Sequence, residues 1–328
     1  MKCSAQRRLI LSSLRLPRTI LDLGRIFSTE KKCQEYMFKV RWPGGFICPR
    51  CEGDKHYWIN TRAILKCSDC GKQVSLKVGT VMEKSKRPLS DWFVAAYLMT
   101  TNRQGISAAN LLEQTDIRAY ECAWNVLHKL RAAAGQREIQ TLSGMVEVDE
   151  CYVGAEKPGG IGRRVKGKAI VVGAVEVRGQ GSGRCQLRVI PNLKKKTLHR
   201  FIFDRITPGS TVNTDGWAGY PGIESQGYYH DIVVTHTDPQ KTEEWLPRVH
   251  RVFGNLKLWL NGTHHGVSPK HLQAYLNEFT FRFNRRKNLK GAFGALLGLV
   301  AQNRGPTYEA LYRAGRRRGW KHPNPIDE

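Results

Sequence analysis

The sequence is short of acidic residues. It has 28 Asp and Glu against 53 Lys and Arg, and its formal net charge at pH 7 is +25. Such an excess favours a polyanionic partner, because each Lys or Arg that contacts a phosphate releases a condensed counterion. A ribosome-associated or simply basic protein also fits this composition, so charge alone does not decide. In so basic a chain, an isolated carboxylate at a strand end needs a specific explanation.

Long apolar runs are also missing. No run approaches the roughly 20 residues that a membrane-spanning helix needs, so the sequence predicts no membrane partner. The first residues, MKCSAQRRLILSSLRL, are basic and free of acids, but their apolar stretch is short and broken by Ser and Arg. This pattern argues against a secretory signal. We expect residues 1–16 to form a disordered basic tail.

The cysteines do not make a disulfide framework. Their number, nine, is odd, and five of them are scattered: Cys3, Cys33, Cys122, Cys151 and Cys185. The other four lie in two close pairs. This usage indicates a reducing compartment and one metal site.

The paired cysteines have the spacing of a structural zinc site. Cys48 and Cys51 form one CxxC turn, Cys67 and Cys70 form the other, and fifteen residues separate the pairs. Each turn presents two thiolates to one ion, and β-prone residues between the pairs predict a hairpin that returns the second pair. The sequence therefore predicts a zinc ribbon over residues 48–80, with Zn²⁺ as its structural ion.

Helical patterns flank this ribbon. Residues 17–47 read as a lead-in of short helices, with Ser28 or Thr29 as an N-cap. Residues 81–140 contain three apolar helical segments, which suit a helix-turn-helix. A plain linker bundle fits them equally well, because no segment is marked as a recognition helix.

From residue 145 the pattern changes to strands. Three strands are followed by a helix, a strand, a short turn region, a strand and a longer helix near residues 242–260. This is the order of a ribonuclease-H-like domain, which we place at 145–290, and residues 271–300 read as one amphipathic helix. A basic tail is expected over 291–328. The fold class is therefore α+β or α/β multidomain, with a zinc ribbon and helix-turn-helix-like region before a ribonuclease-H-like mixed sheet.

Two carboxylates stand out in the strand region. Asp149 follows the apolar run MVEV, and Asp215 lies 66 positions later in VNTDGW. In a ribonuclease-H-like fold these strands are neighbours, so both aspartates are expected at adjacent strand ends, where they would share Mg²⁺ or Mn²⁺. Glu150 is excluded, because its side chain points to the other face. Taken singly, Asp149 is compatible with a turn cap and Asp215 with an Asp-Gly turn.

The third metal ligand is expected on the last helix of this domain. His250 and Lys257 are seven positions apart, two helical turns, and therefore share a face. Imidazole is a better ligand for Mn²⁺ than for Mg²⁺, and Lys257 would bind a DNA phosphate. His250 is also compatible with a plain basic helix face. Three other residues remain possible ligands: Glu243, Glu244 and Asn255.

Several motifs together resemble one family. They are the zinc ribbon, VDECYVG, NTDGWAGY, and the segment HRVFGNLKLWLNGTHHGVSPKHLQAYLNEFTFRFNRR. Over residues 17–290 the chain is similar to bacterial insertion-sequence transposases of the ISXO type, members of the DDE, retroviral-integrase-like superfamily. The first two acids of that family map onto Asp149 and Asp215. Its third acid, often Glu, maps onto His250, and the Asn described in some branches would map onto Asn255.

The resemblance implies an enzyme that cuts and joins DNA. Water cleaves the strand at the element end, and the freed 3′-OH attacks a target phosphodiester without a covalent enzyme intermediate. The implied partners are terminal inverted repeats, target duplex and at least a second copy of the chain, in the bacterial cytoplasm at the nucleoid. The predicted phosphate contacts are Lys257, Arg282, Arg285, Arg286, Lys287, Arg163 and Arg164.

Two rival functions remain open at this point. A transposase-derived regulator would bind DNA through the ribbon and helices without catalysis. A structure-selective nuclease on the same fold would cut strands without joining them. Joining of a 3′-OH end to a second duplex separates a transposase from a nuclease, and cleavage of any kind separates both from a regulator.

Overall fold

A computed structural model describes residues 15–59, 64–136, 141–154, 168–233 and 244–312. The chain divides into two compact units. The first takes in the chain up to Tyr97, Ala108–Ala133 and the chain from Phe293 onward, and the second takes in Leu98–Ser107 and Ala134–Ala292. Within the described ranges, no helix is both long enough and apolar enough to cross a membrane.

The lead-in of the first unit is helical, as predicted. Its helices are α1 (Ile20–Ile26) and α2 (Glu30–Arg41). The Thr29 hydroxyl accepts a hydrogen bond from the Lys32 amide at 3.3 Å, so Thr29 is the N-cap of α2. Further along, three helices follow in the predicted order: α3 (Leu89–Thr101), α4 (Ala108–Glu113) and α5 (Tyr120–Gly135). Their assignment as helix-turn-helix stays a prediction.

The ribbon is a small antiparallel sheet. Its strands are β1 (His56–Ile59), β2 (Ile64–Cys67) and β3 (Gln73–Ser75). Trp58 pairs with Leu65, which confirms the hairpin predicted between the two cysteine pairs. Few buried apolar side chains support it, chiefly Phe46, Leu65 and Val74. So small a core cannot by itself hold the ribbon folded.

The second unit contains a five-stranded mixed sheet. In chain order its strands are β4 (Met145–Val153), β5 (Ala169–Arg178), β6 (Gly181–Ile190), β7 (Thr211–Asp215) and β8 (Tyr229–Val233). In space the order is β6-β5-β4-β7-β8, with β4, β5 and β6 antiparallel and with β7 parallel to both β4 and β8. This topology confirms the predicted ribonuclease-H-like domain.

Helices cover both faces of this sheet. Helix α6 (Lys195–Arg205) packs on the face that carries Val146 and Val148 of β4. Helices α7 (Pro247–His264) and α8 (Leu272–Asn284) pack on the other face. Alternation along β4 therefore points its odd-numbered side chains toward α7.

A glycine allows α7 to approach the sheet closely. Gly173 of β5 pairs with Asp149 of β4. A Cβ atom at Gly173 would lie 2.7 Å from a ring carbon of Phe253 on α7, closer than real Cβ contacts. Any larger residue at this position would push α7 away from the strand that carries Asp149.

The last described part of the chain differs from the prediction. The expected single helix over 271–300 is broken after Asn284, and a new helix, α9 (Leu289–Gln302), begins beyond the break. The Asn288 side chain accepts a hydrogen bond from the Gly291 amide at 2.9 Å, which caps the new helix. A short helix α10 (Tyr308–Tyr312) follows, so residues 291–312 are largely helical. Arg285, Arg286 and Lys287 lie in the break.

Candidate active site

Asp149 lies in the middle of a strand, which corrects the expectation of a strand end. It is the fifth of nine residues in β4 and is 7% exposed. β4 continues to Val153 because β5 pairs with it from Val146 to Val153. Asp215 does end its strand, as the last residue of β7. Of the two aspartates, only Asp215 therefore lies at a strand end.

The register of β4 and β7 brings the aspartates to one level. Glu147 pairs with Asn213, and two further steps along each strand lead to Asp149 and Asp215. Side chains two apart point to the same face, so both aspartates face the α7 side.

The electrostatic environment of Asp149 agrees with this placement. Burial raises the pKa of the Asp149 carboxyl well above its usual range, and the charges of Glu150 and Asp215 raise it further, whereas Lys257 lowers it. A nearly buried carboxyl beside other carboxylates favours its neutral form unless a cation compensates.

Helix α7 brings His250 against Asp149. His250 Nε2 lies 3.3 Å from Asp149 Oδ2, and the imidazole is about one third exposed. Lys257 lies two turns further along and is exposed to solvent. The alternatives Asn255 and Glu244 are also exposed, and Glu243 lies outside the described residues.

Hydrogen bonds hold Asp215 and Glu150 in different surroundings. Asp215 Oδ1 accepts from the Trp217 amide at 3.1 Å, and the Trp217 indole donates to the Leu193 carbonyl at 3.1 Å. Glu150 Oε2 accepts from the buried Tyr220 hydroxyl at 2.7 Å, in the core on the α6 side. Glu150 therefore lies on the face opposite the Asp149 side chain.

The sequence interpretation missed Glu147. Its side chain is 1% exposed and accepts hydrogen bonds from the backbone amides of Arg248 (2.7 Å) and Val249 (2.9 Å). Its other oxygen accepts from the Arg248 guanidinium at 3.0 Å. A carboxylate at the first turn of a helix satisfies free amides and complements the helix dipole. Glu147 thus fixes the first turn of α7, and His250 is the residue directly after the second bonded amide. Its position two residues before Asp149, on the same face, was the available signal.

The sequence predicts strand cleavage with His250 as a metal ligand. On that prediction we expect Glu147→Gln to slow cleavage by about tenfold or more through displacement of His250, because residues that orient metal ligands have effects of this size. A buried ionic contact is also lost, so stability falls. Glu176→Gln is the matched control, since Glu176 is equally buried and pairs with Arg184 at 2.5 Å. A gel assay measures the cleavage rate and thermal unfolding measures stability. If the two variants show the same fall in cleavage rate for the same loss of stability, Glu147 has no specific positioning role.

The basic residues around α8 differ in their surroundings. Arg282 donates to the Asn102 carbonyl at 2.6 Å and also to the Arg103 carbonyl. Arg285 lies over the Phe281 ring at 4.0 Å, and burial lowers its pKa to about 10. Two more, Arg286 and Lys287, are exposed. Their contact with DNA phosphates stays a prediction, and Arg163 and Arg164 lie outside the described residues.

The four predicted zinc ligands do converge. One Sγ atom from each of Cys48, Cys51, Cys67 and Cys70 lies within 4.8 Å of the others. Four thiolates at this spacing suit tetrahedral Zn²⁺. In the part of the chain that the structure describes, they are the only group of three or more possible ligands packed this closely. The set of Asp149, Asp215 and His250 is more open.

Two families of known domains match parts of this chain. Residues 141–284 match the ISXO2-like transposase domain, and residues 28–73 match the transposase zinc-ribbon domain. The chain therefore carries an ISXO2-like transposase domain and a transposase zinc ribbon. The two predicted domain types, a zinc ribbon and a transposase catalytic-type domain, are thereby confirmed, and their bounds stay predictions. The match to the transposase domain contains Asp149, Asp215 and His250.

Individual relatives carry similar descriptions. The transposase is 26% identical over 280 residues to an uncharacterized protein in transposable element ISH50 of Halobacterium salinarum, covering 79% of this chain and 92% of that protein. Over 112 residues it is 25% identical to an uncharacterized transposase-like protein of Haemophilus influenzae, covering 34% and 89%. A Mos1 transposase paired-end complex overlaps with a TM-score of 0.24 at 10% identity, covering 62% and 78%. That overlap is too weak to support an argument.

Proposed function

We propose that this transposase cleaves the ends of an insertion element and joins the freed 3′-OH to target DNA by metal-dependent phosphoryl transfer. Two observations carry the proposal. The parallel register of β4 and β7, which pairs Glu147 with Asn213, leads two residues further to Asp149 and Asp215, and His250 Nε2 from α7 lies 3.3 Å from Asp149 Oδ2. The net charge of +25 supports a DNA substrate.

The donor set fits a divalent cation. Two carboxylates and an imidazole are suitable ligands for Mn²⁺ and, less readily, Mg²⁺. The raised pKa of Asp149 supports this fit, because a cation at the site would relieve the repulsion among the carboxylates. When bound, the ion would activate the attacking oxygen and neutralise charge on the leaving oxygen.

The side chains of the site have distinct roles in this reaction. Asp149 and Asp215 supply the negative charge that binds the cation, and Glu147 holds the start of α7 so that His250 meets Asp149. Lys257, exposed on the same helix face, contacts a phosphate of the DNA strand and offsets charge at the reacting phosphorus. In cleavage the oxygen of a water molecule attacks the phosphorus and the 3′ oxygen of the element strand leaves. In joining that 3′ hydroxyl attacks a target phosphorus and a 3′ oxygen of the target strand leaves, so no bond to the enzyme forms in either step.

The ribbon and the partners complete the proposal. Zn²⁺ bound by the four cysteines stabilises the ribbon, which contacts DNA. Two element ends must be paired before joining, so we expect a homodimer or higher homo-oligomer. The chain would act on DNA in the cytoplasm, at the nucleoid.

The proposal is tested by strand transfer on a duplex that carries the flanking inverted repeat, in Mg²⁺ and separately in Mn²⁺. We expect wild-type product to be greater in Mn²⁺, because His250 is a nitrogen ligand. His250→Ala should lose joined product while DNA binding remains. His250→Glu, which supplies an oxygen ligand, should shift the preference toward Mg²⁺.

Other outcomes point to the rival functions. Tight DNA binding by the wild type without product in either metal would favour a regulator. Cleavage without joining would favour a nuclease. Undiminished cleavage by His250→Ala would transfer the third role to Asn255 or a glutamate.

A further inference from the structure

A pocket of about 750 Å³ lies in the second unit beside the predicted phosphate-binding residue Lys257. Asn255 and Leu258, which flank Lys257 on α7, are part of its lining. Leu258 is 73% exposed. The pocket has the size of a small-ligand site.

One wall of the pocket is aromatic. Trp259 and Phe279 have ring centroids 5.8 Å apart, and Phe279 and Phe283 are stacked at 6.0 Å with an angle of 19°. The Arg286 guanidinium covers the Phe283 ring at 4.0 Å. The rings of Trp259 and Phe279 are themselves buried, and a nucleobase can stack on the plane of a guanidinium that lies flat on such an aromatic wall.

The polar lining favours an anionic, hydrogen-bonding ligand. Three arginines (Arg103, Arg282 and Arg286) and three side-chain amides (Asn102, Gln104 and Asn255) contribute to it. None of the described lining residues is acidic. Arg282 also pairs with the buried Glu278 at 3.6 Å. A phosphate at the rim and a base edge inside would both find partners among the remaining arginines and amides.

The loop that closes the pocket is fixed in place. The Gln104 carbonyl accepts from the Trp259 indole at 2.8 Å and from the Thr263 hydroxyl at 2.9 Å. Arg282 holds the neighbouring carbonyl of Asn102 at 2.6 Å. The pocket is thus built before any ligand enters, which reduces the entropic cost of binding.

We propose that this pocket binds one unpaired nucleotide of the DNA that lies along α7, with its base stacked on the aromatic wall and its phosphate at Arg286. The inference rests on the proposed function, since it needs DNA at Lys257. An extrahelical base binds such a pocket most readily, because binding then does not include the free-energy cost of unstacking the base from the duplex.

The test compares two fluorescent duplexes of about 30 base pairs that differ only in one extrahelical thymidine, by anisotropy without added Mg²⁺ or Mn²⁺. We expect the wild type to bind the bulged duplex about tenfold more tightly, consistent with stacking of one base. Gly262→Leu should abolish this preference and leave affinity for the paired duplex unchanged. Gly262 lines the pocket, and a Cβ there meets no atom within 4 Å, so the added side chain fills space.

The matched control is Gly262→Ala, which makes the same gain in helix propensity but leaves most of the pocket open. It should keep the preference. Equal affinity of the wild type for both duplexes, or a preference that survives Gly262→Leu, overturns the pocket. Absence of DNA binding overturns both the pocket and the proposed function. If the wild type shows no strand transfer but still binds the bulged duplex more tightly, only the proposed function is overturned.

Discussion

We expect Asp149→Asn to abolish strand cleavage and to raise the melting temperature of the transposase. Loss of cleavage should reach about 10³-fold or more, since even one missing hydrogen-bond donor at a developing charge costs about 10²–10³ in rate. Asparagine keeps the shape of the side chain but removes the charge that would bind the divalent cation. The variant should still bind DNA.

The gain in stability follows from the pKa of Asp149, which burial and neighbouring carboxylates raise in the folded protein. The pKa of this carboxyl is higher in the folded protein than in the unfolded chain. Its contribution to the free energy of unfolding is therefore fully present below the unfolded pKa and is lost as pH rises through the folded pKa. Above the unfolded pKa, Asp149 therefore lowers the stability of the fold, a cost that the neutral amide of the variant would not carry. Each kcal/mol corresponds to about 2–4 °C for a unit of this size.

Thermal unfolding at about pH 5 and about pH 8 tests this reasoning. From the lower to the higher pH, the melting temperature of the wild type should fall more than that of Asp149→Asn. Added Mn²⁺ should raise the melting temperature of the wild type only. Asp231→Asn, which removes an exposed carboxylate from β8, should leave both properties unchanged. A lower melting temperature for Asp149→Asn at about pH 8 would contradict the account.

The second large effect concerns the ribbon. We expect Cys48→Ser to remove zinc and unfold β1, β2 and β3, because a structural zinc site supplies an apparent 10–16 kcal/mol or so to a small domain. The buried apolar residues of the ribbon are too few to replace that energy. Zinc content per chain and amide hydrogen exchange over residues 56–75 measure the two consequences.

Cys122→Ser is the control for this experiment. Cys122 is exposed on α5 and lies outside the four-cysteine cluster, so its replacement should preserve both zinc and exchange protection. Retention of one zinc ion by Cys48→Ser, with protected amides in β1–β3, would show that the ribbon folds without a complete thiolate set.

The sequence alone was sufficient where the chemistry is local. The spacing of the four cysteines predicts the ribbon, because each CxxC turn and the hairpin between the pairs are short-range structures. The change from helical to alternating patterns predicts the strand order of the second domain. The separation of His250 from Lys257 places both on one helix face without knowledge of the partner strand.

The sequence could not decide features that depend on long-range pairing. In the sequence, Glu147 is a polar residue in an apolar run and carries no sign of a role. In the fold, the first amides of α7, about 100 positions later, donate hydrogen bonds to its carboxylate. The break after Asn284 and the fixed carbonyls of the 102–104 loop depend in the same way on distant partners.

The sequence therefore determined the two domain types, the zinc ligands and the residues Asp149, Asp215 and His250 as candidates. Only the tertiary structure decided that Asp149 lies within its strand, that Glu147 holds the start of α7, and that aromatic and arginine side chains of α7 and α8 enclose a pocket. The physical reason is that spacing and periodicity are local properties, whereas strand register, helix docking and burial arise from contacts between residues far apart in the chain.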